Sequence, residues 1–306
     1  MNSINFGIVG AGGIGSYYAG VLSHAGNSVT LLTRGDHLCA IRQHGLEVQT
    51  PEATFIAQPL AMDDSTALNG VDYLLVAVKS FSLAAVSPLL KAAAASGTTI
   101  VPLLNGVDVA NRLEAQGVPR ASLLVGLVAT SVARVAPGRV ERTLPERVIF
   151  GELDRVLRGR TMNLVDAFIR AGVAAEATTD IDLALWRKFA FIVPVNVVCG
   201  LMRGPIGLAL ASDSGRDLLR RALAEIAALS HACGTSLSPE DIVRIEAEFF
   251  GLPPMVRPSF LADLERGGPT ELDLLTGCVS RLGKEHNVST PIHDLATAVF
   301  EATIAR

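Results

Sequence analysis

The chain has 306 residues, 49% of them hydrophobic and 18% charged, which excludes a disordered chain and leaves length enough for two domains. Its net charge of −4 argues against nucleic acid, and against an anionic membrane, as a partner.

A short apolar run, residues 6–9, predicts a buried strand. Gly10-Ala11-Gly12-Gly13-Ile14-Gly15 leads from it into an amphipathic helix through Leu22. Gly10, Gly12 and Gly15 have the G-x-G-x-x-G spacing of a dinucleotide turn, and strand, glycines and helix come in the required order. In that reading Gly10 makes the tight turn, Gly12 lets a pyrophosphate approach the backbone, and Gly15 packs the helix close to the strand. The pyrophosphate would rest on free N–H groups at the positive end of the helix.

Residues 28–33 predict a second strand. Further apolar runs cover 48–57, 73–78 and 99–104, with a helix over 83–96. Such alternation implies a parallel sheet with helices on both faces. Residues 122–135 and 140–151 read as strands joined by a turn at Pro137-Gly138. A helix over 161–171 and a short strand near Ala174 complete the domain. From residue 180 the pattern is helical, over 180–203, 213–233, 238–249, 257–266, 271–285 and beyond Pro291. Ser238-Pro239-Glu240-Asp241 is a helix-capping sequence. The apolar run 189–202 is too short to span a bilayer and contains Pro194 and Asn196, so a core helix is expected.

The expected architecture is therefore α/β, with an N-terminal Rossmann-type doubly wound sheet (1–179) followed by an all-helical C-terminal domain (180–306). Ligands of such sheets bind beyond the carboxyl ends of the strands, which points to the cleft between domains. Cys39, Cys199, Cys233 and Cys278 stand far apart, as expected of reduced thiols in a cytoplasmic protein. The histidines show no metal-ligand spacing, so no metal is expected. No basic stretch followed by an apolar one precedes the first strand, so no signal peptide is expected.

The second strand ends Leu31-Leu32-Thr33-Arg34, where an NAD-selective protein would carry an acid for the ribose 2′-hydroxyl. An arginine fork suits a 2′-phosphate, which favours NADP. The plainer reading is a solvated arginine in a turn continued by Gly35-Asp36. Lys79 follows the strand over 73–78 at its carboxyl end, a place for a cofactor contact or for an ordinary surface lysine. Lys188, Ile192 and Asn196 recur every four residues and share one helix face. A lysine and an asparagine on an otherwise apolar helix need partners, although lysines at helix starts are usually solvated. Pro194 should bend this helix. Thr270 is placed to cap the next helix, with Glu271 as a first-turn acid favoured by its dipole.

Taken in order and spacing, these features resemble the ketopantoate reductase (2-dehydropantoate 2-reductase) family over nearly the whole chain. The resemblance implies reduction of a small-molecule 2-oxo acid by NADPH. It implies cofactor binding by the glycine turn, Arg34 and Lys79, and matches Leu103-Leu104-Asn105-Gly106-Val107 to a turn whose asparagine lies near nicotinamide and substrate. It makes Lys188 the proton donor, Asn196 a substrate-binding residue, and Ser259 and Glu271 members of an S-x-x-x-D … T-E-[IL]-D pattern. In that mechanism Ser259 would hold the substrate carboxylate with Arg257 as helper. Glu271 would bond near the substrate and the nicotinamide ribose.

Two departures stand out. Lys79-Ser80-Phe81-Ser82 replaces the usual K-x-x-Q, and Ile192 stands where the family commonly has asparagine. The latter points to a 2-oxo acid other than ketopantoate, with a less polar tail. The alternatives are a related 3-hydroxyacid or opine-type dehydrogenase, and a non-catalytic NADP-binding regulator. The apolar helical half leaves room for a homodimer.

Overall fold

Strand β1 (Asn5–Val9) lies at the centre of a parallel sheet, with Phe6, Ile8 and Val9 removed from solvent. Its neighbours are β2 (Ser28–Leu32) on one side and β6 (Tyr73–Val76) on the other. Beyond them lie β5 (Leu60–Met62) and β7 (Thr99–Pro102), giving the order β5-β2-β1-β6-β7, all parallel. The chain thus winds outward through β2 and β5, then returns to the other side of β1. The carboxyl end of β1 is the point where the winding reverses, and ligands of open α/β sheets bind at such a point.

The computed structural model describes residues 3–304. The chain divides into two compact units, one of Met1–Leu104 and Val109–Ile181, the other of Asn105–Asp108 and Asp182–Arg306. In the first, α1 (Gly13–His24), α2 (Gly35–His44), α3 (Leu83–Ala95), α4 (Val109–Ala115) and α5 (Gly159–Arg170) accompany the strands. Gly35-Asp36, expected in a turn, instead opens α2, with Arg34 at its N-cap.

The run 48–57 is not one strand. It is a hairpin of β3 (Leu46–Gln49) and β4 (Thr54–Ala57), because the Thr50 hydroxyl accepts the N–H groups of Glu52 and Ala53 and closes a turn at Pro51. The runs 122–135 and 140–151 are likewise each divided. β8 (Val125–Ala129) and β11 (Arg147–Gly151) pair with each other beside β12 (Ala175–Thr178), whereas β9 (Val132–Ala136) and β10 (Arg139–Arg142) join β3 and β4. The breaks fall at Thr130-Ser131 and at residues 143–146, where Pro145 lacks a ladder donor. The turn at Pro137-Gly138 does join β9 to β10, with Gly138 at φ 72°.

The second unit is built on α6 (Ile181–Met202). This helix is long and apolar enough to cross a membrane by length and composition. Its side chains instead form the core of the unit: Phe189, Ala190, Val193, Val197 and Val198 are fully buried. A helix that is apolar all round must be covered on all sides. The cover comes from α7 (Gly207–Leu210), α8 (Asp213–Ala232), α9 (Pro239–Phe250), α10 (Ser259–Arg266), α11 (Thr276–His286) and α12 (Pro291–Ile304). Phe191, for instance, stacks on Phe249 of α9 at 5.7 Å.

The cap predicted at Ser238 is a full capping box. Its hydroxyl accepts the Asp241 N–H at 3.2 Å, and the Asp241 carboxylate accepts the Ser238 N–H. The helix expected over 271–285 begins later. Glu271 precedes a single 3-10 turn, Leu272–Leu274, and α11 starts at Thr276 after an irregular Leu275.

Candidate active site

In the first unit the candidate cofactor residues meet at one edge of the parallel sheet. The glycine turn follows β1, Arg34 follows β2, and Lys79 follows β6. Gly10 has φ 103°, and a Cβ there would lie 2.4 Å from the Ala77 carbonyl carbon. A Cβ on Gly15 would lie 2.1 Å from the Gly10 oxygen. Only glycine permits either approach. A Cβ on Gly12 would meet nothing within 4 Å, so that side of the turn is open.

The first α1 hydrogen bond runs from Ser16 N–H to the Gly12 carbonyl at 3.1 Å. The N–H groups of Gly13, Ile14 and Gly15 are therefore outside the helical ladder, and no acid occupies the first turn. An open backbone face with free N–H groups and no negative charge fits a dinucleotide pyrophosphate. Arg34 is exposed and has no hydrogen-bond or ion-pair partner among the described residues. Lys79, also exposed, is the N-cap of a 3-10 turn, Ser80–Ser82.

Two features here had no local signal in the sequence. Gly13 is required for a reason of its own, because a Cβ would lie 2.2 Å from the Val132 carbonyl of β9. His37 of α2 is buried, its Nδ1 accepting the Gly138 N–H at 2.9 Å. Nε2 therefore carries the proton and donates to the Ser16 hydroxyl of α1 at 3.0 Å. Burial and then the charge of Arg134 lower its pKa to about 4, keeping the ring neutral.

In the second unit three candidates come together. The Lys188 ammonium donates to Asn105 Oδ1 at 2.6 Å, and Glu271, itself buried, acts on the same ammonium. Desolvation lowers the lysine pKa to about 8, with the Glu271 charge opposing that fall. Asn105 is held by its neighbours: Gly106 at φ 121° turns the chain, and Asp108 forms an ion pair with Arg281 of α11. Beside Lys188, Arg187 pairs with Asp241 of the capping box at 2.8 Å, fixing the start of α9 to α6. Neither ion pair could be read from spacing, since each joins distant stretches of chain.

Ile192, half-buried, and Asn196, buried, follow Lys188 on α6. Asn196 Nδ2 donates to the Ile192 carbonyl at 2.6 Å. Its Oδ1 is buried with no partner among the described residues. Ser259 is the exposed first residue of α10. Arg257, expected beside it as a helper, is exposed and forms an ion pair with Glu265. Thr270, expected to cap a long helix, instead precedes Glu271, the N-cap of the 3-10 turn, and its hydroxyl accepts the Leu272 N–H at 3.3 Å. Among the described residues no group of His, Cys, Asp and Glu is arranged to hold a metal ion.

Comparison with known proteins bears on both units. Residues 6–155 match the family described as Ketopantoate reductase PanE/ApbA. Residues 180–303 match its C-terminal counterpart. A 2-dehydropantoate 2-reductase of Halobacterium salinarum is 28% identical over 287 residues, covering 93% of this chain and 94% of that protein. Among solved structures, a PanE/ApbA family ketopantoate reductase from Ralstonia eutropha superposes with a TM-score of 0.90 at 26% identity, covering 99% of both chains. A 2-dehydropantoate 2-reductase from Geobacter metallireducens does so with a TM-score of 0.90 at 27% identity, covering 98% of this chain and 99% of that one.

Proposed function

The chain belongs to the ketopantoate reductase family, and we propose that it reduces a 2-oxo acid to the 2-hydroxy acid with NADPH, using Lys188 as the proton donor. The observation that carries this reading is the Lys188 ammonium, held on Asn105 Oδ1 at 2.6 Å with its pKa lowered to about 8. A lysine near its usual value of about 10.4 is a sluggish acid at neutral pH, whereas a pKa near the working pH suits proton transfer.

When bound, the cofactor supplies the hydride that reaches the ketone carbon. The turn from Gly10 through Ala11, Gly12, Gly13 and Ile14 to Gly15 would hold its pyrophosphate, Arg34 its 2′-phosphate, and Lys79 a neighbouring oxygen. In this reading residues 1–179 bind the cofactor and 180–306 the substrate. Lys188 neutralises charge on the ketone oxygen and delivers its proton there. Asn105 orients the ammonium, and Glu271 sustains its charge. Asn196 Oδ1, buried and without a partner among the described residues, would accept a substrate N–H or O–H. The Ser259 hydroxyl would bind the carboxylate.

Ile192 is the specificity element. Its side chain cannot pair with a substrate polar group, and a buried unpaired group costs about 1–3 kcal/mol, tenfold or more in binding. The preferred substrate should therefore have a less polar tail than ketopantoate. Steady-state rates with a panel of 2-oxo acids test this. Ketopantoate giving the highest kcat/KM would overturn the reading of Ile192 while leaving the reductase assignment intact. Lys188→Ala should lower kcat about a thousandfold with NADPH affinity unchanged. Retained turnover would remove the lysine from the mechanism.

A further inference from the structure

An arginine of β9 reaches the glycine turn. Arg134, exposed on β9, donates from its guanidinium to the Ala11 carbonyl at 3.3 Å. Its strand is pressed against the turn, with the Val132 carbonyl filling the place of a Gly13 side chain. The charge of Arg134 also reaches His37, which lies three residues beyond Arg34 and bonds to Ser16 of α1. The guanidinium therefore stands at the glycine turn, within electrostatic reach of the first turn of α2.

Charge balance singles this place out. Most arginines of the first unit, among them Arg42, Arg120, Arg139, Arg147 and Arg160, face a carboxylate within ion-pair distance. Arg34 and Arg134 are both exposed, and neither has a carboxylate partner among the described residues. Asp36, the acid in the first turn of α2, pairs with neither. Two cations without an anion, beside a nucleotide turn, suit a ligand that brings the anion itself.

Resting on the NADPH reading above, we propose that Arg134 is a second ligand of the cofactor 2′-phosphate, so that selectivity for the phosphorylated cofactor is shared between Arg34 and a residue on β9.

The test is binding without turnover. Kd values for NADPH and NADH are measured by reduced-nicotinamide fluorescence for the wild type, Arg134→Ala, Arg134→Gln and Arg34→Ala. Arg134→Ala should weaken NADPH about tenfold and leave NADH within about twofold. Arg134→Gln keeps a donor for Ala11 but no charge, and should lose NADPH to the same extent. The salt dependence of NADPH binding should become shallower in both variants. Equal losses for the two cofactors, or full affinity in Arg134→Gln, would overturn the proposal by reducing Arg134 to a support of the turn. A wild type that binds NADH as tightly as NADPH would instead overturn the NADPH reading on which this rests.

Discussion

In the first unit, geometry comes from what is missing: Gly10, Gly13 and Gly15 are places where one added carbon would strike backbone at 2.4, 2.2 and 2.1 Å. In the second unit it comes from what is added, a lysine, an asparagine and a glutamate from three separated stretches. The glycine turn is a steric solution, and each of its constraints also positions β1, α1 and β9. The lysine face is an electrostatic solution laid over a core that Phe189, Val193 and Val197 fill without it. Damage to the turn should therefore reach folding and binding together. Damage to the lysine face should change chemistry and spare the fold.

The sharpest way to break that contrast lies within the turn itself. Gly15→Ala forces α1 away from the Gly10 carbonyl, and overpacking of this kind is expected to cost about 3 kcal/mol. A thermal melt of the cofactor-free protein should fall by several degrees, with NADPH binding lost as well. Gly12→Ala places its methyl group in open space. It should cost under about 1 kcal/mol, mostly as a poorer N-cap, yet still abolish tight NADPH binding by filling the approach to the pyrophosphate. If Gly12→Ala binds NADPH normally, the open side of the turn is not where the cofactor lies.

The same contrast explains what was legible in the chain before its structure. Residues 6–22 declare themselves because a turn made by absent side chains is written in closely spaced glycines. The helix at Pro239 is announced by Ser238 and Asp241 for a similar reason, since every partner is local. The runs 48–57, 122–135 and 140–151 each divide between strands, because apolar content does not say which sheet a segment joins. The polar breaks at Thr50, Thr130 and Thr143 carried the answer. Lys188 and Asn105 are 83 residues apart, so only their resemblance to a known pattern could pair them. Arg134 and His37 gave no signal at all, because Arg134 is 123 residues from Ala11 and His37 is 101 residues from Gly138.

A pH profile sharpens the electrostatic half of the contrast. Lys188 acts as an acid only while protonated, and its pKa lies at about 8. The reductive kcat should hold a plateau below that pH and fall above it. Glu271 raises this pKa against the desolvation that lowers it. Glu271→Gln removes the opposing charge, so the alkaline limb should move to lower pH. At a pH above 8 the variant should lose more activity than at pH 6, while the melting temperature changes little. A limb that stays in place, or moves upward, would mean that Glu271 does not act through the lysine.

The smallest effect has the opposite sign to the others. Asn196 keeps Oδ1 buried without a partner in the ligand-free protein, and an unsatisfied buried acceptor costs about 1–3 kcal/mol. Asn196→Leu removes that acceptor at similar volume, and also removes the bond from Nδ2 to the Ile192 carbonyl. That bond is worth about 1 kcal/mol, so the balance should be neutral or stabilising by about 1 kcal/mol. The same variant should raise KM for the 2-oxo acid, because the substrate group that would meet Oδ1 is left unpaired. A rise in KM without loss of melting temperature separates a binding asparagine from a structural one. A clear fall in melting temperature with unchanged KM would show that Oδ1 serves the core of the second unit, and the lysine face would then end at Ile192.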